Sequence, residues 1–452
     1  MSDIVTLNGY NIKDEKAVRS YETVALMKAD TKLKEGYHVK TKGYYEANDG
    51  GHGEYVIVDD DTLVDDGGSI HVLTNGLRAK LIINDYITPE IYGAKGDGTT
   101  DDTTAIQKAI NNFNKVVMTK NYLVTEINIK GNVESTGTIT GNIKINSSDV
   151  TFNFNQLIGE LKVEADKLIQ FVTINGKRLT NETGNGLYLV SNASYGIQYC
   201  SFSIGLIRAT NCIYFDSSNG GWINQNYFYK TNLSYGTGIT SVALTGNNTY
   251  NGNSFVEFGF EDITKWFNMN TFIETLFEKC RMIPFEADGQ GTSVRELGVL
   301  NGCRNVVFNN RCSGTYYEFI TLNNSTGIRL TGKVMRSEGV ADGIYMKMKT
   351  NSEIEDIQFD TPIFMKNMSD LTGTTIIEIY DYDVSKPLIF NYDTSKYTWV
   401  NLKISDTIAS ALKYVDVVIK GTSAHALDIT RNNTMLKEIP SGTENTTIRI
   451  YL

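Results

Sequence analysis

Histidine, proline, cysteine and basic charge are all scarce in this chain, and each scarcity removes a class of answers. The four histidines among 452 residues are His38, His52, His71 and His425. None falls in the long middle of the chain, so a Ser-His-Asp or Cys-His site there would lack its base. Any hydrolysis in that region has to run on carboxylates. Five cysteines (Cys200, Cys212, Cys280, Cys303 and Cys312) are an odd number without the short paired spacing of a zinc site, and they read as buried thiols. No apolar run is long enough to span a bilayer, which excludes membrane insertion by a helix. The N-terminus "MSDIVTLNGYNIKDEK" lacks the basic flank and apolar core of a secretory signal, so synthesis in a cytoplasm is expected. Lys and Arg number 42 against 52 Asp and Glu, for a net charge of -10. Without a basic stripe there is no means of displacing counterions from a nucleic acid, and that partner is excluded. The same balance leaves a neutral or mixed glycan open.

What the chain does have is glycine and aromatic residues. Forty glycines, 26 tyrosines and 19 phenylalanines against five prolines suit many short strands joined by tight turns. From about residue 127 to residue 384 the chain runs in short alternating segments, "TEINIK", "GTITGNIKI", "DVTFNFN" and "GELKVEAD", separated by Asn, Gly, Ser and Asp. In "SSDVTFNFNQL", Val150, Phe152 and Phe154 share one parity and Thr151, Asn153 and Asn155 the other, which gives the strand one buried face. Asn-Gly hairpin turns are few, so the chain is expected to keep winding in one sense. The expected fold is an all-β parallel solenoid of roughly 20 to 25 residues per coil, with asparagine-rich corners that stack.

The segment "YGAKGDGTTDDTTAIQKAI", residues 92 to 110, ends in a single amphipathic helix carrying Ala105, Ile106, Ala109, Ile110 and Phe113 at helical spacing. Asp101 or Asp102 stands at its N-cap. A helix laid across the first coil would cover the open apolar end of a solenoid. The aspartates are expected to serve turns and caps. They lack the acidic spacing and terminal Glu of a calcium loop, and Lys-Ser/Thr does not follow the glycines as a phosphate loop requires. No metal site and no cofactor are expected.

This segment closely resembles the entry motif of the pectate-lyase-like right-handed parallel β-helix proteins. Upstream, "VKTKGYYEANDGGHGEYVIVDD", residues 39 to 60, resembles the small module that precedes the β-helix in many bacteriophage tailspikes and receptor-binding proteins. The resemblance implies a virion tail component, joined to the phage tail or baseplate by its N-terminus, assembled as a homotrimer and presenting glycan-binding grooves. It implies an attachment arm over 1–19, an α/β adaptor over 20–86 with "SYETVALMKAD" as its helix, and a right-handed β-helix over 87–384. After Pro387 the runs "YTWVNLKI", "YVDVVIKG" and "TTIRIYL" are strand-like with fewer glycine corners, and 385–452 is assigned to a C-terminal β domain. The Gly-His-Gly triplet in "GGHGEY" is shared with polygalacturonase-type enzymes, but it precedes the β-helix and reads as a turn of the adaptor.

Candidate chemistry centres on a near-repeat, "FVEFGFEDI" from Phe255 and "FIETLFEKC" from Phe272. Alternation puts Glu257, Glu261, Glu274 and Glu278 on an outer surface. Stacking Glu257 over Glu274 and Glu261 over Glu278 would bring carboxylates to about 5 Å, the arrangement of an acid/base pair. A solvated face relieved by Lys265, Lys279 and Arg281 is the competing reading. Glu286 with Asp288, and Glu338 with Asp342 beside Arg336, form further acidic groups at expected loops. For glycan contact the candidates are Trp222, Tyr229, Trp266, Arg281 and Arg295, with Trp222 placed at a corner by the preceding "SSNGG". Three functions remain open on these residues: depolymerisation of a bacterial surface polysaccharide or wall polymer, adhesion without cleavage, and phosphodiester cleavage of a teichoic acid.

Overall fold

The computed structural model describes residues 5–7, 10–12, 18–83, 85–192, 194–244, 248–282, 295–314, 318–323, 325, 328–336, 347–350, 358–360, 363–364, 375–379, 387–393, 400–422, 427–431 and 434–452. Residues 1–160 with 173–177 form one compact unit, and 161–172 with 178–452 a second.

The first unit opens with a five-stranded sheet, in spatial order Arg19–Tyr21, His38–Thr41, Gly53–Val58, Arg78–Leu81 and Ile70–Val72. Helix α1 (Val24–Ala29) starts where the Thr23 hydroxyl accepts from the Leu26 N–H, and it buries Val24 and Met27. Alternation along Gly53–Val58 sends Tyr55 and Ile57 into the same core. The "EANDGG" turn is organised by Asp49, whose carboxylate accepts from the backbone N–H groups of Tyr44, Tyr45, Glu46 and Gly51. Partial burial works to raise the Asp49 pKa, but these donors outweigh it and the net shift is downward.

The aspartates of the opening motif each hold a turn. Asp97 accepts from the Thr99 and Thr100 N–H groups at 2.8 and 2.7 Å. Asp101 accepts from the Thr103 N–H at 2.9 Å and caps helix α2 (Thr103–Asn112). Asp102, at the N-cap position itself, is buried and turns back to the Lys95 and Gly96 N–H groups at 2.7 and 2.9 Å. Gly96 has φ +62°, and a Cβ there would strike the Lys120 stem. Helix α2 buries Ile106, Ala109 and Ile110 against the strands Lys115–Met118 and Asn121–Ile129, so it covers the first coil as expected.

Strands of the first unit then stack in parallel with short coils, Tyr122 lying opposite Ile139 and Asn132 opposite Thr151. In the second unit the coils are longer, with Ser254 opposite Leu276 and Leu276 opposite Val307. Coil length is therefore irregular instead of the roughly 20 to 25 residues expected. Short steps in the first unit give way to unequal ones in the second, 26 residues from Leu206 to Asn232, 22 from Ser254 to Leu276, 31 from Leu276 to Val307 and 22 from Val307 to Arg329. The fold is a parallel β-helix. Inward residues stack on their equivalents in the next coil. Phe202, Phe228, Phe255, Phe277 and Phe308 form one column with ring centroids 4.8, 4.7, 4.7 and 4.7 Å apart. This matches the spacing of hydrogen-bonded strands.

Corners stack as well. Phe171, Tyr199, Gln225, Gly252, Glu274 and Asn305 all adopt left-handed backbone, with φ between 48° and 67°. Below this column two buried asparagines bridge coils. The Asn253 Oδ1 accepts from the Asn226 N–H at 3.1 Å and from its Nδ2 at 3.2 Å, while the Asn253 Nδ2 donates to the Ile223 carbonyl at 2.8 Å. Parallel pairing continues to Leu427–Arg431, which is followed by antiparallel Thr434–Ile439. A separate three-stranded sheet joins Leu388–Asp393, Tyr414–Thr422 and Glu444–Tyr451. Cys200, Cys212, Cys280 and Cys303 are buried free thiols whose pKa values desolvation pushes up to about 12, so they stay protonated and inert. The Cys312 side chain lies outside the described residues.

Candidate functional site

The four glutamates do not form two stacked pairs. Phe255 lies opposite Phe277 and Val256 opposite Glu278, while Phe272 lies opposite Tyr250 on a different sheet. The near-repeat is shorter than a coil at this point of the chain, and it therefore joins two sides of one coil. Glu274 belongs to the Phe171–Asn305 corner column, and Glu257 to another. The Lys230 N–H donates to the Val256 carbonyl and the Glu257 N–H to the Glu278 carbonyl, so Lys230, Glu257 and Lys279 follow one another at successive corners, all with positive φ. An exposed carboxylate between two exposed lysines is a column of alternating charge. Glu278 is half-buried, with the Lys279 Nζ 3.9 Å away. The backbone of Glu261 lies at a register irregularity opposite Ser234, and its side chain lies outside the described residues.

Of the expected glycan contacts, Trp266 is only 1% exposed and belongs to the core, where its Nε1 has no hydrogen-bond partner. Trp266 and Phe267 are both buried, so strict alternation breaks within Gly259–Asn270. Trp222 is half-exposed at the start of Trp222–Asn224. Its indole lies in the notch left by Gly196, where a Cβ would come within 2.2 Å of Nε1, and its N–H donates to the Gln198 Oε1 at 3.1 Å. Tyr229 is half-buried and stacks on Tyr227 at 5.3 Å. The Arg281, Arg295 and Arg336 side chains, and residues Glu286, Asp288, Glu338 and Asp342, lie outside the described residues.

A second set of groups, not singled out from the sequence, meets on the outward face of three successive coils. Strand Leu161–Ala165 turns Leu161, Val163 and Ala165 inward and Lys162 and Glu164 outward. Lys162 pairs in register with Tyr188 and Glu164 with Val190. The Lys162 Nζ sits 3.6 Å from the Glu164 Oε1 and 6.0 Å from the Tyr188 ring centroid. One coil further, Tyr214 packs edge-on against Tyr188 at 5.3 Å, and the Tyr188 hydroxyl donates to the Asp216 Oδ2 at 3.2 Å. The other Asp216 oxygen accepts from the Ser218 N–H and hydroxyl at 2.9 and 2.6 Å. Desolvation, then the Asp216 charge, raise the Tyr214 pKa, so its hydroxyl stays protonated. Glu164 and Asp216 thus stand two coils apart, about 10 Å at the backbone. Side-chain reach adjusts such a spacing to the 6.5–9.5 Å or so that separates the carboxyls of inverting glycosidases. The sequence signal is the recurrence of "LYLVSN" as "IYFDSSN" in the following coil. Among the described residues no group of three His, Cys, Asp or Glu is placed to hold a metal ion.

A family model described as the phage tail protein small four-stranded beta-sheet domain matches residues 20–84. By this module the chain is similar to phage tail proteins. Depolymerase 1 of Klebsiella phage K5-2, described as specific for capsules K30/K69, is 50% identical over 46 residues, which is 10% of this chain and 5% of that protein. Among solved structures, the gp42 tailspike of Acinetobacter phage vb_AbaP_AS12 aligns with 14% identity and a TM-score of 0.47, covering 96% of this chain and 78% of that one. Tailspike protein 2 of an Escherichia coli O157:H7 bacteriophage aligns with 13% identity and a TM-score of 0.44 over 77% of this chain and 55% of its own. The chain therefore spans just over half the length of that tailspike, and a far smaller share of the Klebsiella phage protein is matched.

Proposed function

We propose that the protein is a phage tail appendage that binds a bacterial surface polysaccharide and depolymerises it by carboxylate acid/base chemistry. The observation that carries this reading is the outward strip of Lys162, Glu164, Tyr188, Tyr214 and Asp216, which sets carboxylates beside tyrosine rings on a β-helix that follows a phage-tail module. Asp216, oriented by three donors, is suited to take a proton from an attacking water. Glu164, two coils away, would pass a proton from the Lys162 ammonium 3.6 Å beside it to the leaving glycosidic oxygen, and the tyrosine faces would seat the sugar between them. Attachment to the tail would run through the N-terminal module, and the working unit would be a homotrimer.

Incubation of the purified chain with a panel of capsular and wall glycans tests this directly, with reducing-end release and binding measured together. Asp216→Asn and Glu164→Gln should each lower cleavage by roughly 10² to 10⁴ while binding persists. Glu257→Gln and Glu274→Gln should leave cleavage unchanged, because their corner columns hold them apart from one another. Wild-type binding without product would instead make the chain an adhesin, and release of phosphorylated fragments abolished by chelator would make it a metal-dependent phosphodiesterase.

A further inference from the structure

Around the corner from Asp216, through residues 217–221, lies a small parallel sheet of Ile169–Gln170, Gly196–Gln198 and Trp222–Asn224. Its isoleucines point into the core, and its other side carries three columns. Leu168 and Trp222 flank Gly196 in the first, with the indole filling the Gly196 notch. Gln170, Gln198 and Asn224 repeat an amide at each coil in the second. The third is the left-handed corner, where Phe171 and Tyr199 are 58% and 49% exposed, with rings 6.2 Å apart and 17° from parallel. Bulky side chains rarely adopt φ near 56°. Here that backbone sets two stacked rings out into solvent. None of the residues of these three columns from Leu168 to Gln225 carries a charge.

We propose that this face is a second glycan subsite, separate from the cleavage strip, that takes a neutral pyranose segment of the polymer. The proposal rests on the glycan reading above. Flat rings offer apolar faces to the C–H faces of pyranoses, and the amide column beside them, in which Gln198 accepts from the Trp222 N–H and Asn224 is hydrogen-bonded to Thr249 and the Asn251 N–H, gives the face a polar edge at the coil spacing of about 4.8 Å. An uncharged strip offers no ion-pair partner to a basic or an acidic ligand, and the chain's net charge of -10 further repels an acidic one. A second copy of the chain is the other occupant to weigh. Its core contacts would be apolar, whereas the middle column here is entirely amide.

The test uses the full chain and its Phe171→Asn/Tyr199→Asn variant, since asparagine keeps the left-handed backbone while removing both rings. The probes are purified neutral and anionic capsular polysaccharides, long and as short oligosaccharides. The expected result is that a neutral polymer binds the variant at least tenfold more weakly, with a raised KM on long chains. On oligosaccharides too short to reach both sites kcat is unchanged, and so are unfolding temperature and mass. Equal affinity of variant and wild type for a glycan that the wild type binds and cleaves would overturn the second subsite and leave the proposed function standing. A variant of lower mass than the wild type would overturn it in favour of a subunit interface. A wild type that binds no glycan would overturn both readings together.

Discussion

His71 shows how burial converts one side chain into a pH dependence of the N-terminal module. It is 1% exposed, its Nδ1 has no hydrogen-bond partner, and the nearest Asp65 oxygen is 3.9 Å away. The Tyr55 hydroxyl stands 3.5 Å from its Nε2. Desolvation lowers the pKa from 6.5 to about 4, against the raising effect of Asp65 and Asp66 and with Lys28 adding to the fall. Below pH 6.5 the unfolded chain takes up a proton that the folded module refuses, so stability is full above that pH and declines as pH falls toward 4. The loss amounts to on the order of 3 kcal/mol at the lower end. Thermal unfolding followed between pH 7 and 4 should show this slope, and His71→Gln should flatten it. An unchanged slope in that variant would place the effect on groups other than His71; Asp65 and Asp66, whose pKa values are lowered, act at more acid pH and do not supply it.

At the scale of elements, the columns that run from coil to coil carry the fold. Asn253 satisfies the Asn226 amide and the Ile223 carbonyl from inside the core. Asn253→Ala would leave both buried without partners, at a cost of about 2 to 4 kcal/mol. Chemical denaturation should show that loss, whereas a shift under about 0.5 kcal/mol would mean that water replaces the amide. Much of this architecture was legible. The alternation at Val150–Phe154, the helix at Thr103–Asn112 and the turn role of the aspartates are local signals, and the structure reproduces them. Register between coils was not legible, because coil length changes irregularly from one step to the next, as between Ser254–Leu276, Leu276–Val307 and Val307–Arg329, and no local pattern counts it. That is why Phe255 and Phe272, alike in sequence, fall on different sheets, and why Glu164, Tyr188 and Asp216 escaped notice. Trp266, expected as a glycan contact, is buried instead, because alternation breaks at Trp266 and Phe267 and no local pattern announces the break.

For the whole molecule, the N-terminal module and the coil stack divide the labour in the proposed account, one joining the virion and the other meeting the host surface. Static light scattering should return the mass of three chains, and a monomer at micromolar concentration would remove the trimer from the account. The central claim is that outward carboxylates of the β-helix cut a surface glycan that the same protein binds. The most direct measurement compares wild type and Asp216→Asn on one capsular polysaccharide, following bound polymer and released reducing ends in the same sample. The account predicts equal binding by both, steady product from the wild type, and product from the variant reduced by roughly 10² or more. Equal product from the two proteins, or binding by the wild type without any product, would contradict it.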